Sequence, residues 1–182
     1  MKACLKSLAV LLLALMTVLA SAQDNKFFKP IMTITEIEIN DGALTLSVFS
    51  MPEDGQDHYF VSLGTLGIGD DIIQVNIDPV SELYIPLGDT LEEAQAKLEE
   101  IKDITKQPVG ASMETLGTLS AGYPDKDRET VVVTHRKPLL QHLIEFAIHR
   151  NGYIRATYIS KSEFGSLVSG VKFYRKLHPK EK

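Results

Sequence analysis

The sequence predicts an α+β fold, a mainly antiparallel β-sheet with two amphipathic helices packed on one face. Three observations lead there. Segments such as Ile31–Ile39 and Ala43–Phe49 alternate apolar and polar residues with the period of a half-buried strand. Two later segments, opening at Asp89 and Ser160, carry apolar residues at helical spacing behind a polar cap. Most strand-to-strand connections are of hairpin length, which suits antiparallel neighbours.

Along the chain, Gln23–Pro30 reads as a short lead-in. Ile37 and Ile39 then stand against Glu36 and Glu38, and Asn40-Asp41-Gly42 is the turn that leads into Ala43–Phe49. Met51–Asp57 is polar with Pro52 and Gly55, so a loop is expected there. His58–Leu63 is a further strand, followed by a bend rich in glycine (Gly64, Gly67, Gly69). Ile72–Ile77 and Glu82–Leu87 form another pair around Asp78-Pro79.

Asp89 opens the first helix, with Glu92 three positions on as in a capping box. Leu91, Ala94, Leu98, Ile101 and Thr105 make its buried stripe, and Pro108 and Gly110 end it. Strands are expected at Ala111–Leu119 and Glu129–Arg136, joined by the polar Tyr123–Arg128. Leu139–Arg150 admits two readings. Pro138 in front and Asn151-Gly152 behind suit a helix, whereas the same Asn-Gly suits a two-residue turn between Leu143–Arg150 and Tyr153–Ser160. The β-branched and aromatic content of Tyr153–Ile159 favours the hairpin. Ser160 and Glu163 form a second capping box, ahead of the stripe Phe164, Leu167, Val168, Val171 and Tyr174. Gly165, Ser166, Ser169 and Gly170 leave one surface of this helix small enough for close approach to a sheet.

Ile73–Ile101 and Ile144–Tyr174 both read strand, turn, strand, capped helix. Residues 23–182 are therefore expected to form one domain, with two strand–strand–helix halves, about 23–107 and 108–182, as one division of it. The order strand, helix, four strands, helix from Glu82 to His178 resembles the repeat of TATA-binding-protein-like folds. That resemblance implies topology and no function.

Residues 1–22 have the layout of a secretory signal peptide: Lys2 and Lys6, an apolar run Leu8–Ala20, and Ala20-Ser21-Ala22 before Gln23. The run is shorter than the roughly 20 residues a bilayer span needs, so cleavage is expected, with export to the periplasm or the extracellular space and no membrane span afterwards. The single cysteine, Cys4, lies in this leader, and no Asn-x-Ser/Thr sequon occurs, which together point to a bacterial exported protein. Without Lys2 and Lys6 the chain keeps 17 of its 19 basic residues against 24 acidic ones. That balance disfavours nucleic acid and anionic membrane as partners, because both repel an acidic surface at long range. Lys172, Arg175, Lys176, Lys180 and Lys182 gather at the C-terminus, where they suit a helix end.

No Gly-x-Ser-x-Gly elbow, His-Glu-x-x-His or phosphate-cradling loop occurs, so no catalytic residue, metal ligand or cofactor is assigned. Zinc would need His135 and His142 with a carboxylate, and calcium would need more than Asp125-x-Asp127-x-Glu129 supplies. In the late hairpin one face collects Phe146, Ile148, Tyr153, Arg155 and Ile159. The other collects Ala147, Ala156, Ile154 and Tyr158 with Glu145 and His149. If the alanine face seats a helix, Arg150, Tyr153 and Arg155 form a candidate binding patch. The resulting expectation is an exported, non-enzymatic binding or scaffolding domain with a protein or small-ligand partner. The alternatives are a hydrolase whose Asp, Glu and His residues meet only in the fold, and a calcium-binding module.

Overall fold

The computed structural model describes residues 32–39, 44–53, 55–64, 66–68, 82–120, 124, 127–150 and 153–179. These belong to the unit Ile31–Lys182. The leader, the turn at Asn40-Asp41-Gly42, the strand expected at Ile72–Ile77, Asp70/Asp71, Asp54, Asp125 and the Asn151-Gly152 turn lie outside the described residues.

Among the described residues the elements are β1 (Met32–Ile39), β2 (Leu44–Glu53), β3 (Gln56–Gly64), β4 (Leu66–Ile68), β5 (Glu82–Gly88), α1 (Leu91–Asp103) with a 3₁₀ turn (Ile104–Lys106), β6 (Ser112–Ser120), β7 (Glu129–Arg136), β8 (Leu143–Arg150), β9 (Tyr153–Ser160) and α2 (Lys161–Leu177). The sheet order is β1-β2-β3-β5-β6-β7-β8-β9-β4, and every pairing is antiparallel. β4 follows β3 after one residue yet pairs with β9, Leu66 opposite Ala156, so the sheet curls back toward its own third strand. The glycine-rich bend expected after Leu63 is thus partly a short strand.

At β6 the ladder turns a corner, because this one strand serves two neighbours in succession. Ser112–Gly117 pair with β7, and Leu119 and Thr118 then pair with Leu83 and Tyr84 of β5. Gly117 sits at this hand-over with the Val131 and Leu83 side chains and the Tyr84 carbonyl against it, which leaves no room for a side chain. The loop expected at Met51–Asp57 is instead a tight turn. β2 continues to Glu53, which faces Gln56, and Gly55 supplies a left-handed φ of 79°. Met51 is buried, which accounts for the longer strand.

Both helices are capped. Ser160 and Glu163 make the expected reciprocal box on α2 (3.1 and 2.8 Å). On α1 the cap falls one residue later than expected. Thr90 accepts from the Glu93 N–H at 3.1 Å, and the Glu93 carboxylate accepts from the Asp89 N–H at 2.8 Å. Asp89 is thereby free to pair with His58.

Leu91, Ala94, Leu98 and Ile101 of α1 and Phe164, Leu167, Val168 and Val171 of α2 join one core with Leu46, Val48, Val61, Leu83, Ile85, Val131, Phe146 and Ile159. The expectation that the alanine face of the hairpin seats a helix is overturned. The large-residue face of the hairpin turns inward, where Phe146 meets Phe164 at a ring separation of 5.9 Å, and the Ala147/Ala156 face turns away from the core. Larger apolar side chains remove more area from water, and that decides the facing. The opposite side of β2, β3 and β5 carries a smaller cluster, Phe49, Met51, Phe60 and Tyr84, with Phe49 and Phe60 stacked at 5.6 Å.

Three cross-helix contacts tie α1 to α2: Lys172 to Glu99 at 2.8 Å, and Arg175 to Glu92 at 3.2 Å and to Gln95 at 2.9 Å. The C-terminal cations thus do more than solvate a helix end. Lys172 also holds the Glu99 carboxyl below its ordinary value. The small surface of α2 has a use at one glycine and none at the other. A Cβ on Gly170 would overlap Thr35 of β1, whose Cβ would lie 2.8 Å away, whereas one on Gly165 would meet only the end of Lys102 at 4.0 Å. Gly165→Ala is therefore expected to stabilise the protein by about 1 kcal/mol. Gly170→Ala is expected to destabilise it by about 1 kcal/mol, because the half-exposed Thr35 can give only part of the room. Urea unfolding midpoints read both signs.

Candidate binding site at the β7–β8 loop

β7 ends at Arg136 and β8 begins at Leu143, so six residues from Lys137 to His142 connect them. Within this loop the Gln141 N–H donates to the Pro138 carbonyl at 3.2 Å, closing a turn with Leu139 and Leu140 at its centre. Leu139 has a φ of 55° and is the only non-glycine residue with positive φ among those described. A turn with positive φ at its first central position ordinarily takes glycine there. Leu139 and Leu140 are 96% and 91% exposed. A strained backbone thus presents two leucines to solvent.

The base of the loop is fastened from several elements. The His135 N–H donates to the Ala111 carbonyl and the Gly110 N–H to the His135 carbonyl, both at 2.9 Å, while the Lys161 N–H at the start of α2 donates to the His142 carbonyl at 3.0 Å. The His135 ring, 2% exposed, reaches the Gln107 carbonyl through Nδ1 and His142 Nδ1 through Nε2, both at 2.8 Å. A carbonyl only accepts, so His135 Nδ1 carries the proton. When that ring is neutral, its Nε2 accepts from the His142 Nδ1–H. On the outer face Arg136 grips Glu145 with Nε and Nη2 at 2.7 Å, and the Tyr158 hydroxyl donates to the other carboxylate oxygen at 2.7 Å. That hydrogen bond and burial raise the Tyr158 hydroxyl above its ordinary value. The neighbouring turn Pro108–Gly110 adds Val109, 57% exposed.

Desolvation lowers the His142 pKa from the ordinary 6.5, and the charges of Lys137, His135 and Lys161 push it the same way. The unfolded chain then binds more protons than the folded one between the lowered value and 6.5. Stability on this account is complete above pH 6.5 and falls as the pH drops below it. His142→Gln should therefore show a smaller drop in Tm between pH 7.5 and 5.5 than the wild type, read by calorimetry at both pH values.

Of the sequence-predicted patch only the Arg155 side chain is described: it lies opposite Ile148, on the same strand face as Ile159, and is half-buried. Its inward facing follows from the reversed seat of α2. Arg150 and Tyr153 are backbone partners at the hairpin end, and their side chains lie outside the described residues. His135 and His142 do come together, but among the described residues no three His, Cys, Asp or Glu side chains converge as a metal site. His58 and Asp89 pair at 2.7 Å on a half-exposed surface. A groove of about 530 Å³ lies between the helices, lined by Leu91, Gln95, Lys172, Arg175, Lys176 and His178, and two of its cations are engaged in holding the helices together. None of the described helices is long and apolar enough to cross a membrane.

Sequence reasoning missed the leucine tip because Leu139 and Leu140 look like the start of a buried run. The signal available was their company: Arg136-Lys137-Pro138 before them and Gln141-His142 after. Comparison of the chain with protein-family models, curated proteins and solved structures finds no match.

Proposed function

We propose that this chain is a non-enzymatic binding or scaffolding domain that acts after export, in the periplasm or outside the cell, and docks through the β7–β8 loop. One observation carries the reading: Leu139 and Leu140 are almost fully exposed, and Leu139 holds a left-handed backbone that no packing of its side chain repays. Strain of this kind costs on the order of 1–2 kcal/mol and points to a use outside the fold. The anchored base supports a rigid contact, which lowers the ordering cost of binding. In this reading both helices occupy one face of the sheet. Their shared core and the cross-helix ion pairs support that arrangement, which leaves the sheet end free to carry the contact.

The signal-peptide layout of residues 1–22 supports the location. The test uses full-length chain with its Leu139→Gly/Leu140→Gln double variant. Fractionated envelope material should retain the wild type and release the variant while both show cooperative unfolding. Equal behaviour of the two would refute docking through this loop.

A further inference from the structure

We infer that the surface met by the β7–β8 loop is an anionic lipid bilayer, entered by Leu139 and Leu140 and gripped by Lys137 and Lys161; this rests on the docking role proposed for the loop. Shape is the first argument. The two leucines stand at a turn, 96% and 91% exposed, and the adjoining turn, fastened to His135 by the Gly110 N–H, adds Val109. Three aliphatic side chains on two turns fall well short of the roughly 800 Å² per partner of a stable protein interface. A bilayer needs no complementary pocket. Its interfacial zone accepts apolar side chains to a depth of about 5–10 Å and holds basic residues at the level of the headgroups.

Charge is the second argument. At this end of the sheet Arg136 is neutralised by Glu145 and Lys106 by Asp103. Lys137 and Lys161 have no acidic partner among the described residues, and both act on the His142 ring at the base of the loop. The exposed apolar tip is therefore flanked by two lysines that no acidic group among the described residues compensates, on a chain whose formal net charge is −5. Net charge acts over distance, and at physiological ionic strength it is screened beyond about 8 Å. Contact at the tip is governed by the local lysines, which an anionic leaflet attracts and a zwitterionic one does not.

The test is amide hydrogen exchange of residues 139–142 in the full chain, with vesicles of phosphatidylglycerol and phosphatidylcholine, and with phosphatidylcholine alone. Because the readout is local to the loop, attachment through any other part of the chain does not register. Anionic vesicles should slow these amides at least tenfold, and phosphatidylcholine should have a much smaller effect. Leu139→Gly/Leu140→Gln should abolish the protection. Lys137→Glu/Lys161→Glu, with both leucines intact, should remove the preference for the anionic lipid. Equal protection on the two vesicle types would overturn the anionic assignment. No protection on either, with envelope retention still dependent on the leucines, would overturn the lipid assignment and leave docking to a protein. Loss of both dependences would remove the docking reading as well.

Discussion

Phe164→Ala is expected to destabilise the protein by about 3–5 kcal/mol, a large share of a typical domain's 5–15 kcal/mol. Phe164 is fully buried in the first turn of α2, and its ring lies 5.9 Å from that of Phe146 on β8. It stands where helix, hairpin and core meet, beside Leu167 and Val168 on the same helical stripe. The capping box at Ser160 and Glu163 fixes the entry of the helix, so α2 cannot slide to fill the space. Most of the vacated volume therefore remains a cavity. Equilibrium unfolding in urea should show a lower midpoint at an unchanged slope. A loss below about 1 kcal/mol would mean that α2 is not seated on the large-residue face of the hairpin.

The second large effect is expected at Gly117. An alanine Cβ there would lie 2.6 Å from Val131 Cγ2, 3.0 Å from Leu83 Cδ1 and 3.1 Å from the Tyr84 carbonyl oxygen. Val131 and Leu83 are fully buried and the third neighbour is backbone, so no flexible chain end can swing aside. Gly117→Ala should cost about 2–3 kcal/mol, at the upper end of overpacking penalties. The damage should spread along β6, because Gly117 is where this strand passes from β7 to β5. Amide exchange should accelerate at Leu119 and Leu83 on one side of the corner and at Val131 on the other. Wild-type exchange and stability in the variant would show that the corner has slack which the geometry denies it.

What the residues disclosed in advance was mostly local. The alternation of Glu36-Ile37-Glu38, the stripe Leu91-Ala94-Leu98-Ile101 and the Ser160–Glu163 box each depend on neighbours a few positions away, and each is found in the fold. The α1 cap moved by one residue because Asp89 and Thr90 both qualify as caps. Only the pairing of Asp89 with His58, 31 positions away, separates them. The curl of the sheet rests on the three-residue β4 meeting β9, a pairing between distant segments that no short pattern announces. The facing of the hairpin was undecided locally, since both faces mix apolar and polar residues, and the volume of Phe146 and Ile148 settled it only in three dimensions.

The candidate site was less legible still. His135 and His142 are seven apart, a spacing that says nothing until the loop between them folds back. Leu139 and Leu140 are apolar, and apolarity reads as core unless the backbone is known to turn outward there. Arg155 was placed by an argument about the hairpin: its face was expected to be open if the alanine face seated a helix, and the helix packs on the Phe146 side instead.

The proposition that the leucine tip serves contact and not folding is tested most directly by the thermal unfolding of Leu139→Gly. Glycine takes a φ of 55° without steric cost, and the leucine side chain it replaces is almost wholly in water. Relief of about 1 kcal/mol should raise Tm by about 2–4 °C for a domain of this size. A fall of several degrees would show that Leu139 contributes to the fold itself, and the loop would lose its claim to be a docking device.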